Sequence, residues 1–386
     1  MKKNYWIFAA AAVALAACSN DDTIAQYEGD AIEFNPVVEG VTRASGITAS
    51  DLTSFFVTGN KAEGGSYFAT DPVEFTKQAS NNFTSATKYY WPSTGKLDFI
   101  AYAPAAGTGS TITRTDSTHF SVTPAATPSA QQDFVYAVVR GQDKSTGGNG
   151  VQINFRHAES DIVIQLKNTS ADKKFTVSNV SLNFIKPTGA FAPVYKTGTG
   201  SQIGFCTNGT DISNVTDASE TGYYITGDAW EASGTETNYS QAATTTAYAA
   251  ETSTAVALPA DMILIPQALT VATAYSAAEA TSGFNGANIT VQLKIQDAQD
   301  HYLIGTAGST AESYVTAMWP LAAATWLPGH RYTYTLDLAG GGYYPTNQDG
   351  NAALDPILKN AEIFFLTPTV DEWIAAPGIN VANNNN

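Results

Sequence analysis

Cys18 is the residue best placed for covalent chemistry. It ends the run Leu15-Ala16-Ala17-Cys18, in which small residues precede a thiol. Ahead of it stand Met1-Lys2-Lys3 and an apolar stretch from Tyr5 to Ala17, the charged head and short apolar body of an export signal. That stretch is too short to cross a bilayer, which takes about 20 apolar residues. A cut before Cys18 would leave its thiol to carry a lipid as the first residue of the exported chain. Residues 1–17 therefore read as a signal peptide and 18–30 as a lipidated tether, opening with the polar, acidic Ser19-Asn20-Asp21-Asp22. An ordinary signal with an incidental cysteine is the other reading. With Cys18 lipidated, Cys206 is the only thiol left, so no disulfide can form within the chain.

Other constellations that could do chemistry do not assemble. The sequence has no His-Glu-x-x-His, no Cys-x-x-Cys, no Gly-x-Ser-x-Gly and no Gly-x-x-x-x-Gly-Lys. His119, His157, His301 and His330 are scattered singly. His157 follows Phe155 on one strand face and His330 sits in a Pro328-Gly329-His330 turn, so both read as structural or exposed rather than as ligands. Asp297 and Asp300 flank a turn before Tyr302, where acidic side chains commonly stabilise the bend; a calcium loop is the alternative there. Asp116-Ser117-Thr118 matches a short acceptor pattern for O-linked sugars. We assign no catalytic residue, no metal and no cofactor, and expect a protein that is not an enzyme. A formal charge of −16 argues against nucleic acid and anionic membrane surfaces, both of which would repel the chain.

The elements that would position these residues are strands. Val151, Ile153 and Phe155 share one face, as do Ile162, Ile164 and Leu166, then Ile289, Val291, Leu293 and Ile295, and later Tyr332, Tyr334, Leu336 and Leu338; this is the period-2 alternation of half-buried strands. Only Tyr275–Ala280 has a helical look. An all-β sandwich architecture follows. The chain has 386 residues, more than one core usually serves, which predicts two domains. The Gly-rich and Asn-rich stretch 144–150 is the predicted boundary, giving an N-terminal domain at 31–146 and a C-terminal domain at 147–382. Residues 231–254, rich in Thr, Ala and Ser, read as a low-complexity surface insertion in the second domain. The asparagine tail 383–386 reads as disordered.

Several stretches, spread over most of the chain, carry a resemblance. They are Ile32-Glu33-Phe34 with Val41-Thr42-Arg43-Ala44, Tyr90-Trp91-Pro92 with Phe99 to Pro104, and Phe155-Arg156-His157-Ala158. Further on come Ile263 to Gln267, Trp326 to Tyr334, and Val370-Asp371-Glu372-Trp373. In this order, and behind a lipobox, the set resembles the fimbrillin family, two-domain β-sandwich lipoproteins that assemble into pili on Bacteroides-type bacteria. The resemblance implies Greek-key, transthyretin-like sandwiches with long loops, and a chain at the outer membrane, the cell surface or the fimbrium. It also implies a surface arginine-specific protease that cuts between Arg43 and Ala44. The first strand, with Ile32, Phe34 and Val37, would then leave, and a strand from another pilus subunit would fill the groove by β-augmentation. Arg43 could equally be a solvated loop arginine. A donor strand could lie at 362–366, with Ile363 and Phe365, because the tail after Trp373 contains Pro377 and Gly378, which weaken a strand. Stalk, tip and accessory roles all stay open, as do receptors on host or bacterial surfaces. The alternative reading is a surface glycan-binding lipoprotein whose Trp230, Trp319, Tyr343 and Tyr344 stack on sugar rings; core packing is the plain account of those aromatics. A secreted hydrolase with an unrecognised site is a third reading.

Overall fold

A computed structural model of the chain describes residues 31–38, 52–104, 109–115, 119–191, 230–243, 247–275, 284–348, 352–359 and 365–373. In the first part the strands are β1 (Phe34–Val38), β2 (Ser54–Lys61), β3 (Val73–Lys77), β4 (Phe83–Ser85), β5 (Leu97–Ala103), β6 (Thr111–Arg114), β7 (Phe120–Thr123), β8 (Val135–Gln142) and β9 (Val151–His157). Then come β10 (Ser160–Asn168), β11 (Lys173–Ile185), β12 (Thr188–Phe191), β13 (Trp230–Ser233), β14 (Thr237–Ala242), β15 (Ala247–Tyr248) and β16 (Thr252–Ala257). The last are β17 (Met262–Leu264), β18 (Asn288–Asp297), β19 (Tyr302–Ile304), β20 (Val315–Pro320), β21 (His330–Asp337) and β22 (Thr369–Glu372). The all-β expectation holds.

The first unit closes on itself as a barrel in the order β1-β4-β3-β2-β5-β8-β9. Its core is a cluster of Phe34, Phe55, Phe68, Phe75, Phe83, Phe99 and Phe155 with aliphatic neighbours. Along β5, Leu97, Phe99, Ala101 and Ala103 point into this core, while Ile100 and Tyr102 face outward into a second apolar cluster. β8 divides in the same way, Val135 and Ala137 inward and Tyr136 and Val138 outward. Both strands are thus covered on two faces, which is why their sequences run apolar almost without a break.

What covers the outer face is a four-stranded sheet, β13-β12-β7-β6. Its halves come from either side of the change of unit: β7 pairs with β12 at Phe120↔Phe191, Ser121↔Ala190 and Val122↔Gly189. Phe120, Val122, Phe191, Trp230 and Ile265 fill the space beneath it. The second unit is a sandwich of β16-β10-β21-β22 with β17, facing β14-β11-β18-β19 with β15 and β20. Its core joins Ile162, Ile164, Leu166, Val291, Leu293, Tyr334 and Leu336 around Trp326, which is fully buried and donates its indole N–H to the Tyr334 hydroxyl at 3.0 Å.

Two expectations about organisation are corrected. The stretch 144–150 is not a boundary, since it holds a short helix, α1 (Lys144–Gly147), capped by Asp143 and joining β8 to β9 within one barrel. The chain changes unit at 158–160, between β9 and β10. Turn-rich composition marked a tight connection, and composition cannot tell a hairpin inside a core from a linker between cores. Residues 231–254, expected as a low-complexity surface insertion, are built into the sheets where they are described. They contribute strands to three sheets, pairing with β12, β11 and β10, and are anchored by the buried Tyr239 and Tyr248. Their small polar residues lie mainly on faces open to solvent, so periodicity was carried by two rings alone. The helical look of Tyr275–Ala280 falls almost wholly on residues outside those described.

Candidate functional site: the strand that closes the barrel

β1 is the closing element of the barrel. It runs parallel to β9 over five pairs, from Phe34↔Val151 to Val38↔Phe155, and touches β4 through one antiparallel pair, Phe34↔Phe83. Phe34 is fully buried and Ile32 is 2% exposed. The Phe34 ring meets Phe75 at 4.7 Å, Phe99 at 5.1 Å and Phe55 at 5.9 Å, each edge to face, the geometry that the ring quadrupoles favour. The backbone is tied at its start, where the Ile32 N–H donates to Tyr89 O at 2.7 Å and the Val151 N–H donates to Glu33 O at 2.8 Å. Asn35 donates to Asn149 O at 3.0 Å, and Asn82 donates to the Glu33 carboxylate. Pro36 has no N–H to give, so the ladder is thinner at its centre.

Gly150 is fitted to this strand. Its φ of +95° is one that side chains resist, and a Cβ there would collide with the Asn35 amide. Gly150→Ala should destabilise the fold by about 1–3 kcal/mol, read by urea denaturation. A change below a few tenths of a kcal/mol would show that β1 and the turn are not fitted to each other.

The remaining predicted residues separate into placed and unplaced. Cys18, Arg43, Ala44, Ile363 and the Asp116-Ser117-Thr118 pattern lie outside the described residues. Val37 is placed in β1, paired with Asn154. Phe365 is described and 37% exposed. Its neighbour Leu366 is tied to its own unit, its N–H donating to Pro320 O and its carbonyl accepting from Ala322, each at 2.9 Å. The late strand is β22, at a sheet edge beside β21, with Val370 half exposed.

Beyond β22, Trp373 is buried against the first unit, its ring stacked on His157 at 4.0 Å. His157 Nδ1 lies 2.7 Å from Asp133 Oδ2. Glu159 and Asp161 are both fully buried beside this contact, and Arg331 bridges Asp161 to Asp261. Burial, with the Asp133 carboxylate adding to it, holds the Glu159 carboxyl well above the usual range despite an N–H from Phe134. Burial and then the Asp261 charge raise Asp161 to about 7 against the pull of Arg331. Sequence reading missed this acidic junction; the only local signal was the alternation break at Ala158-Glu159-Ser160-Asp161.

Of the four aromatics considered for sugar stacking, the two tryptophans are core residues and the two tyrosines are half-buried. Trp230 is 7% exposed and donates its indole N–H to Ala158 O at 2.6 Å, while Trp319 is 3% exposed in the sandwich core. Tyr343 is half-buried and exchanges backbone hydrogen bonds with Met318, and Tyr344 packs on the core edge. The two buried tryptophans offer no ring face to a sugar, so the glycan-binding reading loses Trp230 and Trp319. The turn reading at Asp297 fits: its carboxylate accepts the Gln299 and His301 N–H groups, and Asp300 pairs with Lys174 at 2.8 Å.

The sequence model of the fimbrillin-like family matches residues 42–356. The chain belongs to the fimbrillin-like family. No curated protein sequence matches it. Similar solved structures include a fimbrial protein from Bacteroides vulgatus, 13% identical, with 88% of this chain and 99% of that one covered and a TM-score of 0.44. Others are candidate cell adhesion proteins from Bacteroides ovatus, 15% identical over 90% of this chain and 99% of that chain at a TM-score of 0.43, and from Bacteroides eggerthii, 15% identical over 90% and 97% at 0.43. As a fimbrillin-like protein the chain is a pilus-type adhesion protein of the cell surface, a structural subunit rather than an enzyme.

Proposed function

We propose that this fimbrillin-like chain is a pilus subunit that joins its neighbours by exchanging the strand that closes its barrel. In this reading it is exported as a lipoprotein held in the outer membrane through Cys18. An arginine-specific surface protease then cuts between Arg43 and Ala44. The observation that carries the reading is β1 itself: a short strand, early in the chain, whose departure would part β4 from β9 without breaking any other strand pair. β9 would keep only its two pairs with β8. The seam would expose Phe55, Phe75, Phe99 and Phe155 together with an unpaired ladder edge, and both favour capture of another strand. Burying one such ring is worth about 1.5–3 kcal/mol.

The docking of Leu366 and Trp373 bears on which subunit supplies the strand. A donor at 362–366 would have to detach from Pro320 and Ala322 first, and the tail after Trp373 is broken by Pro377 and Gly378. A tip or accessory subunit, which accepts a strand and donates none, fits this end best.

Limited trypsin digestion of the purified, non-lipidated chain, followed by mass spectrometry and size-exclusion chromatography, tests the proposal. The expected result is a dominant cut after Arg43, with loss of β1 and either oligomers or uptake of an added peptide copying residues 32–38. Resistance at Arg43, or a cut that leaves a stable monomer with β1 still bound and no peptide uptake, would overturn it.

A further inference from the structure

On the barrel wall beside β5 lies an open cleft of about 590 Å³, within the range of small-molecule sites. Its lining carries more cations than acids. Lys61, Lys88 and Lys96 line it against one acid, Glu63, in a chain whose formal charge is −16. The lysines are exposed, and the contact of Lys96 with Asp143, at 3.9 Å, is long and solvated. Three tyrosines, Tyr67, Tyr89 and Tyr90, line the same cleft half-buried, with Trp91 in its lining at 4% exposure. Tyr67 donates its hydroxyl hydrogen to Tyr90 O, which fixes one ring and leaves its oxygen able to accept. The Trp91 indole N–H has no hydrogen-bond partner among the described residues although it is buried.

We propose that this cleft binds acidic oligosaccharides, sugars that carry carboxylate or sulfate groups. Tyrosine rings supply flat apolar faces for the C–H sides of sugar rings, and their hydroxyls supply polar contacts at the rim. Glu63 accepts hydrogen bonds from sugar hydroxyls. The lysines, as strongly hydrated point charges, attract anionic substituents without demanding one planar geometry. An acidic peptide would satisfy the lysines but would leave the ring faces and the carboxylate without matched partners. The cleft adjoins the start of the closing strand, where the Ile32 N–H donates to Tyr89 O and Ala31 pairs with Tyr90, so binding is tested on the chain with that strand in place.

The test uses the uncut, non-lipidated chain and calorimetric titration with a heparin-derived tetrasaccharide, tetragalacturonate and neutral maltotetraose, with a tetraglutamate peptide alongside. Saturable binding of at least one acidic sugar, about tenfold or more tighter than maltotetraose and tetraglutamate, is expected. It should weaken as salt rises. The triple change of Lys61, Lys88 and Lys96 to Gln should lower affinity at least about tenfold, and Tyr90→Ala should weaken it independently of salt. The lysines are exposed, so the triple variant should keep the parent melting temperature. No saturable binding of either acidic sugar, equal binding of tetraglutamate, or binding untouched by the triple variant would each overturn the proposal.

Discussion

Alanine in place of Phe34 should lower the unfolding free energy of the uncut chain by about 3–5 kcal/mol, the usual cost of deleting a buried phenyl group. The ring is fully buried and meets three others edge to face, so the cavity would open among rings that cannot collapse without leaving their rotamers. Urea denaturation followed by tryptophan fluorescence reads it, because Trp91 packs 6.1 Å from Phe99 in the same core. Val370→Ala, at a half-exposed site on β22, should stay within about 0.5 kcal/mol and serves as the control. The variant should also lose β1 more readily after cleavage at Arg43. A cost below about 1 kcal/mol would mean that the rest of the barrel does not depend on β1, and would count against seam opening as the trigger for assembly.

The second large effect is a fall in stability as pH rises from about 4 to 7, set by the acids at the junction of the two units. Asp161 moves from an ordinary 3.8 to about 7 on folding. The folded state therefore holds a proton that the unfolded chain has released across that window. The contribution is complete below about 4 and is lost as pH climbs through 7, and Glu159, raised for the same reason, extends the loss upward. Its size is on the order of a few kcal/mol. Asp297 acts in the opposite direction, since the His301 N–H lowers its carboxyl, but that effect lies below the window. Melting temperatures measured from pH 4 to 8 should decline for the parent and be nearly flat for a variant carrying Asp161→Asn and Glu159→Gln. An unchanged slope in the variant would assign the decline to the general repulsion of a chain with net charge −16.

Legibility followed the range of each signal. The alternation of Val151, Ile153 and Phe155, or of Ile289 to Ile295, identified strands and the faces they bury, and these residues lie in the cores. The family resemblance rested on short segments in a fixed order, and order survives without any contact map. For Trp230 and Trp319 core packing, the plain account, holds, although a tryptophan in a polar-looking stretch carries no local mark of what covers it. The acidic junction was hidden for a related reason: Asp133 and Asp261 lie far along the chain from Glu159 and Asp161, and nothing in a sequence says that they meet.

By itself the sequence determined that this protein is built of strands, which residues along each strand share a face, and that no catalytic constellation is written in it. These are properties of neighbours two residues apart, where backbone geometry alone dictates direction. Only the tertiary structure decided that β1 lies parallel to β9 and closes a barrel, that β7 and β12 join the two halves in one sheet, and that Tyr67, Tyr89 and Tyr90 share a cleft with lysines. Strand pairing is a choice among many edges of similar hydrogen-bonding capacity, settled by the packing of whole faces, and that selection is made between segments far apart in the chain.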